Sequence, residues 1–282
     1  MINQSDYTDS GAGGSDFRGD MSGLSETEET MAIKAVFFDQ DGVIIDTERD
    51  GHRVSFNMTF KEFGFTDEWS IEYYHELLQI AGGKERMKHH AQTKGFSKPI
   101  PAEELDQLVK DMHKRKTALF VELIETGKLP LRPGIHRFMK EAMEAGLKIA
   151  VCTTSNEQAA KAITEKILTD VKFDLVLAGD VVKNKKPDPE IYNLALEKLG
   201  LKPEEVMVVE DSKNGLKASK AAGIKTIVTY NGYTENEDIE AGDVIVSCLG
   251  DPDGEKAKMR KGGIPNFDGV VHVKDVVALF GK

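Results

Sequence analysis

The stretch AVFFDQDGVIIDTE, residues 35–48, decides how the rest of the chain is read. Its first four residues, Ala35 to Phe38, form an apolar run of strand length bounded by a turn. Asp39 and Asp41 follow with one residue between them, and then Gly42. Carboxylates two apart on extended backbone point to the same side. At the end of a buried strand, that side is the crevice in which open α/β sheets bind ligands. Two like charges held so close call for a proton or an intervening cation. An aspartate nucleophile with a neighbouring acid/base uses this arrangement, although an Asp-rich turn closing any strand shows the same letters. Gln40, between them, points to the opposite face.

Outward from this stretch the texture changes twice. Residues 47–63 have helical spacing, residues 69–80 and the KERMKHH string read as further helices, and residues 102–125 form a long amphipathic helix after Pro101. No strand signal occurs between residue 47 and about residue 128. From Pro130 onward strands alternate with helices: KIAVC (148–152), FDLVLAG (173–179), VMVV (206–209), KTIVTY (225–230) and DVIVSC (243–248) are separated by helical segments. This alternation predicts an α/β fold with a doubly wound parallel sheet. The expected organisation is a core of residues 32–46 and 129–282, an all-helical cap of residues 47–128 inserted after the first strand, and a disordered tail, residues 1–31, rich in Gly, Ser, Thr and Asp. Residues 250–268 read as a surface loop before a last strand and helix.

The whole-chain balance narrows the function classes. At 282 residues, with 40% hydrophobic and 30% charged residues, a sizeable core is expected. A formal charge of -11 argues against nucleic acid or an anionic membrane as main partner, and no apolar run is long enough to span a bilayer. Two cysteines, Cys152 and Cys248, are too few for a disulfide framework and point to a reducing compartment. The chain is expected to be soluble, intracellular and monomeric.

Three further motifs close predicted core strands. Thr153-Thr154-Ser155-Asn156 places hydroxyls and an amide beside a helix start, a ready anion site or simply an N-cap. Lys186 precedes Pro187 in extended geometry, where it can neutralise a carboxylate and a transferring phosphoryl group; the neighbouring Lys183 and Lys185 show how often such a residue is only solvated. Glu210-Asp211 ends VMVV, and adjacent buried acids need a cationic partner. With Asp39 and Asp41 they place four carboxylates around one crevice, a set that suits Mg²⁺.

Taken together, DxDG, a strand-end Thr, Lys-Pro and Glu-Asp, each after its own strand, resemble the haloacid dehalogenase superfamily of aspartate-nucleophile phosphotransferases. Helical insertion after the first motif resembles the β-phosphoglucomutase subgroup. The strings IAGGKERM (80–87), HKRKTALF (113–120), TTSNE (153–157) and KKPDPEIYNLA (185–195) are similar to the CbbY family of xylulose-1,5-bisphosphate phosphatases. The resemblance implies Asp39 as nucleophile, Asp41 as acid/base, and Mg²⁺ held by Asp39, the backbone carbonyl of Asp41 and Asp211, with Glu210 acting through water. It implies Thr153, Lys186, Ser155 and Asn156 around the phosphoryl group. In the cap and its hinge it implies Glu48, His52, Gly82, Gly83, Lys84, Arg86, His113 and Lys116 around a sugar bisphosphate, with Arg86 and Lys116 leading for the second phosphate. TERDGH carries one residue more before His52 than most relatives, and in a regular helix one added residue turns the next side chain by ~100°. His89 and His90 read as surface residues, and Trp69, Tyr73 and Tyr74 as cap core.

The expected activity is Mg²⁺-dependent removal of a phosphate from xylulose-1,5-bisphosphate, a Rubisco misfire product, and a plastid stroma location rests on the resemblance alone, with cytoplasm as the alternative. The alternatives are a sugar phosphomutase, a less specific sugar-phosphate phosphatase, and a non-catalytic sugar-phosphate sensor. The sensor is disfavoured because uncompensated buried carboxylates destabilise a protein without a use for them.

Overall fold

A computed structural model describes residues 33–80, 82–127, 129–155 and 157–281; the N-terminal tail and Asn156 lie outside the described residues. Strand β1 (Ala35–Phe38) sits in the middle of a seven-stranded sheet, flanked by β2 (Lys148–Cys152) and β4 (Val206–Glu210). Beyond β2 lies β3 (Leu175–Leu177); beyond β4 lie β5 (Lys225–Thr229), β6 (Val244–Val246) and β7 (Met259–Lys261). All neighbouring pairs are parallel except β6 and β7.

Between β1 and β2 the described chain is helical: α1 (Arg53–Glu62), α2 (Ile71–Leu77), α3 (Gly83–Thr93) and α4 (Ala102–Glu125), with α5 (Ile135–Glu144) leading back into the sheet. The first four bury an aromatic cluster of their own, including Phe56, Phe60, Trp69 and Tyr74. A π-helical turn, Thr47–His52, precedes α1. Such a turn takes in one residue more than an α turn, so the extra residue of TERDGH is absorbed before α1 begins. After β2, the strands are joined through α6 (Glu157–Ala162), α7 (Glu190–Leu199) and α8 (Lys213–Ala221), and α9 (Val273–Phe280) ends the described chain.

Alternation along β1 explains why its four residues are all apolar. Val36 and Phe38 join one buried cluster with Phe138 and Met139 of α5 and Val276 of α9. Ala35 and Phe37 join another with Ile191, Tyr192 and Ala195 of α7. A strand covered on both faces has no polar side to show. Phe38 is level with Val151 on one neighbour and Val209 on the other. The chain therefore leaves β1, β2 and β4 at one height, beside Asp39, Thr153 and Asp211.

Three expectations need correction. Residues 250–268 are not wholly loop, because β7 pairs with β6 within them. The final apolar run, Val270–Val273, makes no strand; it is buried instead as the lead-in to α9. His90 is not a surface residue but is buried, bonded to the Tyr73 hydroxyl at 3.1 Å and Asp67 at 3.2 Å.

The return from the helices to the sheet passes Gly134, at φ +83°, where an added Cβ would lie 2.4 Å from the Gly250 carbonyl oxygen and 2.6 Å from its nitrogen. Backbone on the other side cannot yield as a side-chain tip would. We therefore expect Gly134→Ala to lower the unfolding free energy by about 2–4 kcal/mol, read as a lower urea midpoint at unchanged slope. A shift under about 1 kcal/mol would show that the contact relaxes freely.

Candidate active site

At the common height of the strand ends, Lys186 Nζ lies 2.6 Å from Asp39 Oδ1 and 2.6 Å from Glu210 Oε1, and donates to the Cys152 carbonyl at 2.9 Å. Asp39, Glu210 and Asp211 are all buried. Burial pushes the Asp39 carboxyl up to about 7 in spite of the pull of Lys186, with Glu210 and Asp41 adding to the rise. Asp211 is driven well above the carboxylate range by burial and then by Glu210 and Asp39. Burial alone would lower Lys186, yet Asp39 and Glu210 hold it above its ordinary value. One ammonium thus serves three crowded acids, and the Lys186–Pro187 peptide bond that carries it is cis.

The remaining charge is where a cation fits. One carboxylate oxygen from each of Asp39, Glu210 and Asp211 lies within 4.8 Å of the others. An all-oxygen, strongly anionic donor set of this kind suits Mg²⁺. Two glycines make room for it: a Cβ on Gly42 would fall 2.0 Å from Asp211 Oδ2, and one on Gly215, in α8, 2.0 Å from the Glu210 carboxylate. Glu210 is further engaged by the Tyr192 hydroxyl, and Asp211 by the Asn231 amide at 2.9 Å.

Asp41 is held apart from this acid cluster. Its Oδ1 accepts from the Thr47 hydroxyl at 2.6 Å, and its Oδ2 from the hydroxyls of Ser155 and, at 3.4 Å, Thr153. One carboxylate faces the lysine and the other is framed by hydroxyls, so the two acids of DxDG occupy chemically different environments.

A cavity of about 360 Å³ joins Asp39, Asp41, Thr153, Ser155, Lys186, Glu210 and Asp211 to Glu48 and His52. The helical side contributes a second cationic centre. Lys116 Nζ lies 2.8 Å from His52 Nδ1 and against the rings of Phe56 and Phe120. Burial brings Lys116 down to about 8, against the pull of Glu48, and burial followed by Lys116 itself drives His52 well below its ordinary value. His52 is therefore neutral and accepts from the ammonium. Arg86 lines an adjoining cavity of about 390 Å³ with Glu48, donating to the Tyr74 hydroxyl at 3.1 Å, which in turn donates to Glu48 at 2.7 Å.

Not every expected residue comes together here. The space over Gly83 is filled by His113 and Phe56, to which a Cβ would come within 3.0 Å, so the glycine lets α3 approach α4. Lys84 and Gly82 are exposed and line neither cavity. Thr47, Tyr192 and Asn231 join the site without having been expected there. Thr47 lies within the opening stretch, just before Glu48, and Asn231 lies just past the KTIVTY strand, so a strand-end rule applied evenly finds the second. Tyr74, expected as core, is buried, but its hydroxyl serves the site.

The family model of the haloacid dehalogenase-like hydrolases matches residues 33–223. The chain belongs to that family. It is 49% identical over 231 residues to a CBBY-like protein of Arabidopsis thaliana, covering 80% of this chain and 72% of that one. It is 39% identical over 221 residues to Protein CbbY of Cereibacter sphaeroides, covering 77% and 93% respectively. The crystal structure of a CbbY mutant from Rhodobacter sphaeroides in complex with xylulose-(1,5)bisphosphate superposes with a TM-score of 0.58 at 38% identity, covering 77% of this chain and 94% of that one. The doubly wound fold and the phosphatase of haloacid dehalogenase type expected from the motifs are borne out.

The acid cluster makes a prediction about resting protein. Mg²⁺ should raise the melting temperature, gaining about 2.7 kcal/mol at a hundredfold excess over its dissociation constant. In Asp211→Asn the metal-free protein should melt no lower, because one carboxyl fewer crowds the buried cluster, and the Mg²⁺ response should vanish. An unchanged response would remove Asp211 from the metal site.

Proposed function

We propose that this hydrolase is an Mg²⁺-dependent phosphatase acting on a sugar bisphosphate, with xylulose-1,5-bisphosphate as the leading substrate. The observation that carries the reading is a cavity with a cation at each end: Lys186 lines it on the core side beside the nucleophile, and His52 lines it on the helical side with the Lys116 ammonium bonded directly behind. A substrate with a phosphate at each end engages both. The likeness to CbbY, whose mutant was crystallised with xylulose-(1,5)bisphosphate, supports the choice of sugar. A role in protecting carbon fixation within a plastid goes with that choice.

Asp39, beside the Lys186 ammonium, attacks phosphorus as its carboxylate, and the bond to the sugar oxygen breaks as the aspartyl-phosphate forms. Asp41 gives its proton to the departing oxygen, then takes one from the water that cleaves the aspartyl-phosphate and releases inorganic phosphate. Thr47 and Ser155 hold the Asp41 carboxyl in one orientation between the two steps. Thr153, Ser155 and Lys186 bind phosphoryl oxygens. Asp39, Asp211 and the Asp41 backbone carbonyl would hold Mg²⁺, with Glu210 acting through a water, and the ion would supply neutralisation of the transferring charge.

Phosphate release from a panel of sugar mono- and bisphosphates tests the reading. Bisphosphates should be preferred, and Asp39→Asn should lower kcat by on the order of 10⁴-fold or more. Conversion of glucose 1-phosphate to glucose 6-phosphate, or indifference to bisphosphates, would overturn it in favour of a mutase or a broad phosphatase.

The second cationic centre has a pH signature. Lys116 carries its charge below about 8 and loses it above, so the substrate KM should rise as pH passes 8. Lys116→Met should raise KM at pH 7 by about 10- to 100-fold with kcat little changed and abolish the pH dependence above 8. A KM that ignores both changes would place the second phosphate elsewhere.

A further inference from the structure

Arg132 lies in the segment that returns from the helices to the sheet, just before Pro133 and α5, far in sequence from every motif above. Its backbone N–H donates to the Ile44 carbonyl at 2.9 Å, and its guanidinium donates to the carbonyl of Gly42, so it grips the turn after Asp41 at two points. The same guanidinium reaches the Thr229 carbonyl at 2.6 Å, the Tyr230 carbonyl at 2.8 Å and the Ser247 carbonyl at 2.6 Å, at the ends of β5 and β6. Among the described residues no carboxylate lies within ion-pair distance of it; the buried charge is met by carbonyl dipoles. A guanidinium has five N–H donors in a fixed fork, and here the fork spans three separate chain segments. Lysine offers a point charge on a flexible stem and cannot span them.

The turn it grips is the one that sets Asp41. Gly42 stands at φ +81° with the Asp211 carboxylate pressed against it, and the amides of Val43, Ile44 and Ile45 converge on the Gln40 carbonyl. A shift of the Gly42 peptide moves Asp41 relative to both Thr47 and the acid cluster. We propose that Arg132 is a positioning residue for phosphoryl transfer: by tying the Gly42 carbonyl to the ends of β5 and β6, it holds Asp41 in register with Asp39 and Asp211. The proposal rests on the phosphatase reading.

Steady-state kinetics and hydrogen exchange on Arg132→Lys and Arg132→Gln test it. Lysine should cost about 10-fold and glutamine about 10²-fold in kcat, with KM for the bisphosphate unchanged within about threefold, because no substrate group touches Arg132. Amides of residues 42–45 should exchange at least about tenfold faster in both variants, while those of α5 and β2 keep their wild-type rates. A folded variant with wild-type kcat, a loss confined to KM, or a global rise in exchange would overturn the proposal. If glutamine prevents folding, the lysine variant decides it alone. Wild-type protein that releases no phosphate from any sugar phosphate would sink the functional reading instead, and the exchange rates of residues 42–45 would still decide whether the tether exists.

Discussion

The site depends on a single buried ammonium shared between acids. Without Lys186, Asp39, Glu210 and Asp211 would face each other with their charges uncompensated, and removing one partner of a buried pair costs about 3–5 kcal/mol. With it, the rise that burial imposes on the Asp39 carboxyl is partly offset, and Glu210 is bonded to the same ammonium. The sheet makes this possible. Because β2, β1 and β4 are neighbours in register, Asp39, Thr153 and Asp211 emerge at one height, and Lys186 reaches Asp39, Glu210 and the Cys152 carbonyl at those strand ends. Glycine at 42 and 215 removes the two side chains that would stand in the space the acids occupy.

The helical side answers with a different use of the same physics. Lys116 is buried against two phenylalanine rings and bonded to a histidine that burial keeps neutral. Desolvation makes this ammonium easier to discharge and strengthens its interaction with any charge nearby. The π turn of Thr47–His52 links the two sides. Its first residue orients Asp41, and its last supports Lys116. Asp41 and the Lys116–His52 pair are thus tied to opposite ends of one helical turn.

Much of this was legible in the amino-acid sequence, for identifiable reasons. Unbroken apolar runs marked the buried strands, and the strand-end rule then placed Asp39, Thr153, Lys186 and Asp211 in one crevice. Helical spacing located α4 at both of its ends, because Pro101 and two glutamates mark the start. What escaped detection depends on pairing between distant segments. Arg132 carries no local signal, since its importance lies in the carbonyls it meets. His90 has the surroundings of a surface residue in sequence, and only Asp67 and Tyr73 from other segments explain its burial. The strand β7 was hidden because two of its three residues are charged and it lies at a sheet edge, where an apolar pattern is not required.

The most direct measurement is a single-turnover experiment with xylulose-1,5-bisphosphate labelled in the transferred phosphate, quenched in acid during turnover and reduced with borohydride. The account predicts label on the protein, and after reduction a modified peptide in which the Asp39 carboxyl has become an alcohol, absent in Asp39→Asn. Phosphate release without labelled protein, or label on a residue other than Asp39, would contradict it.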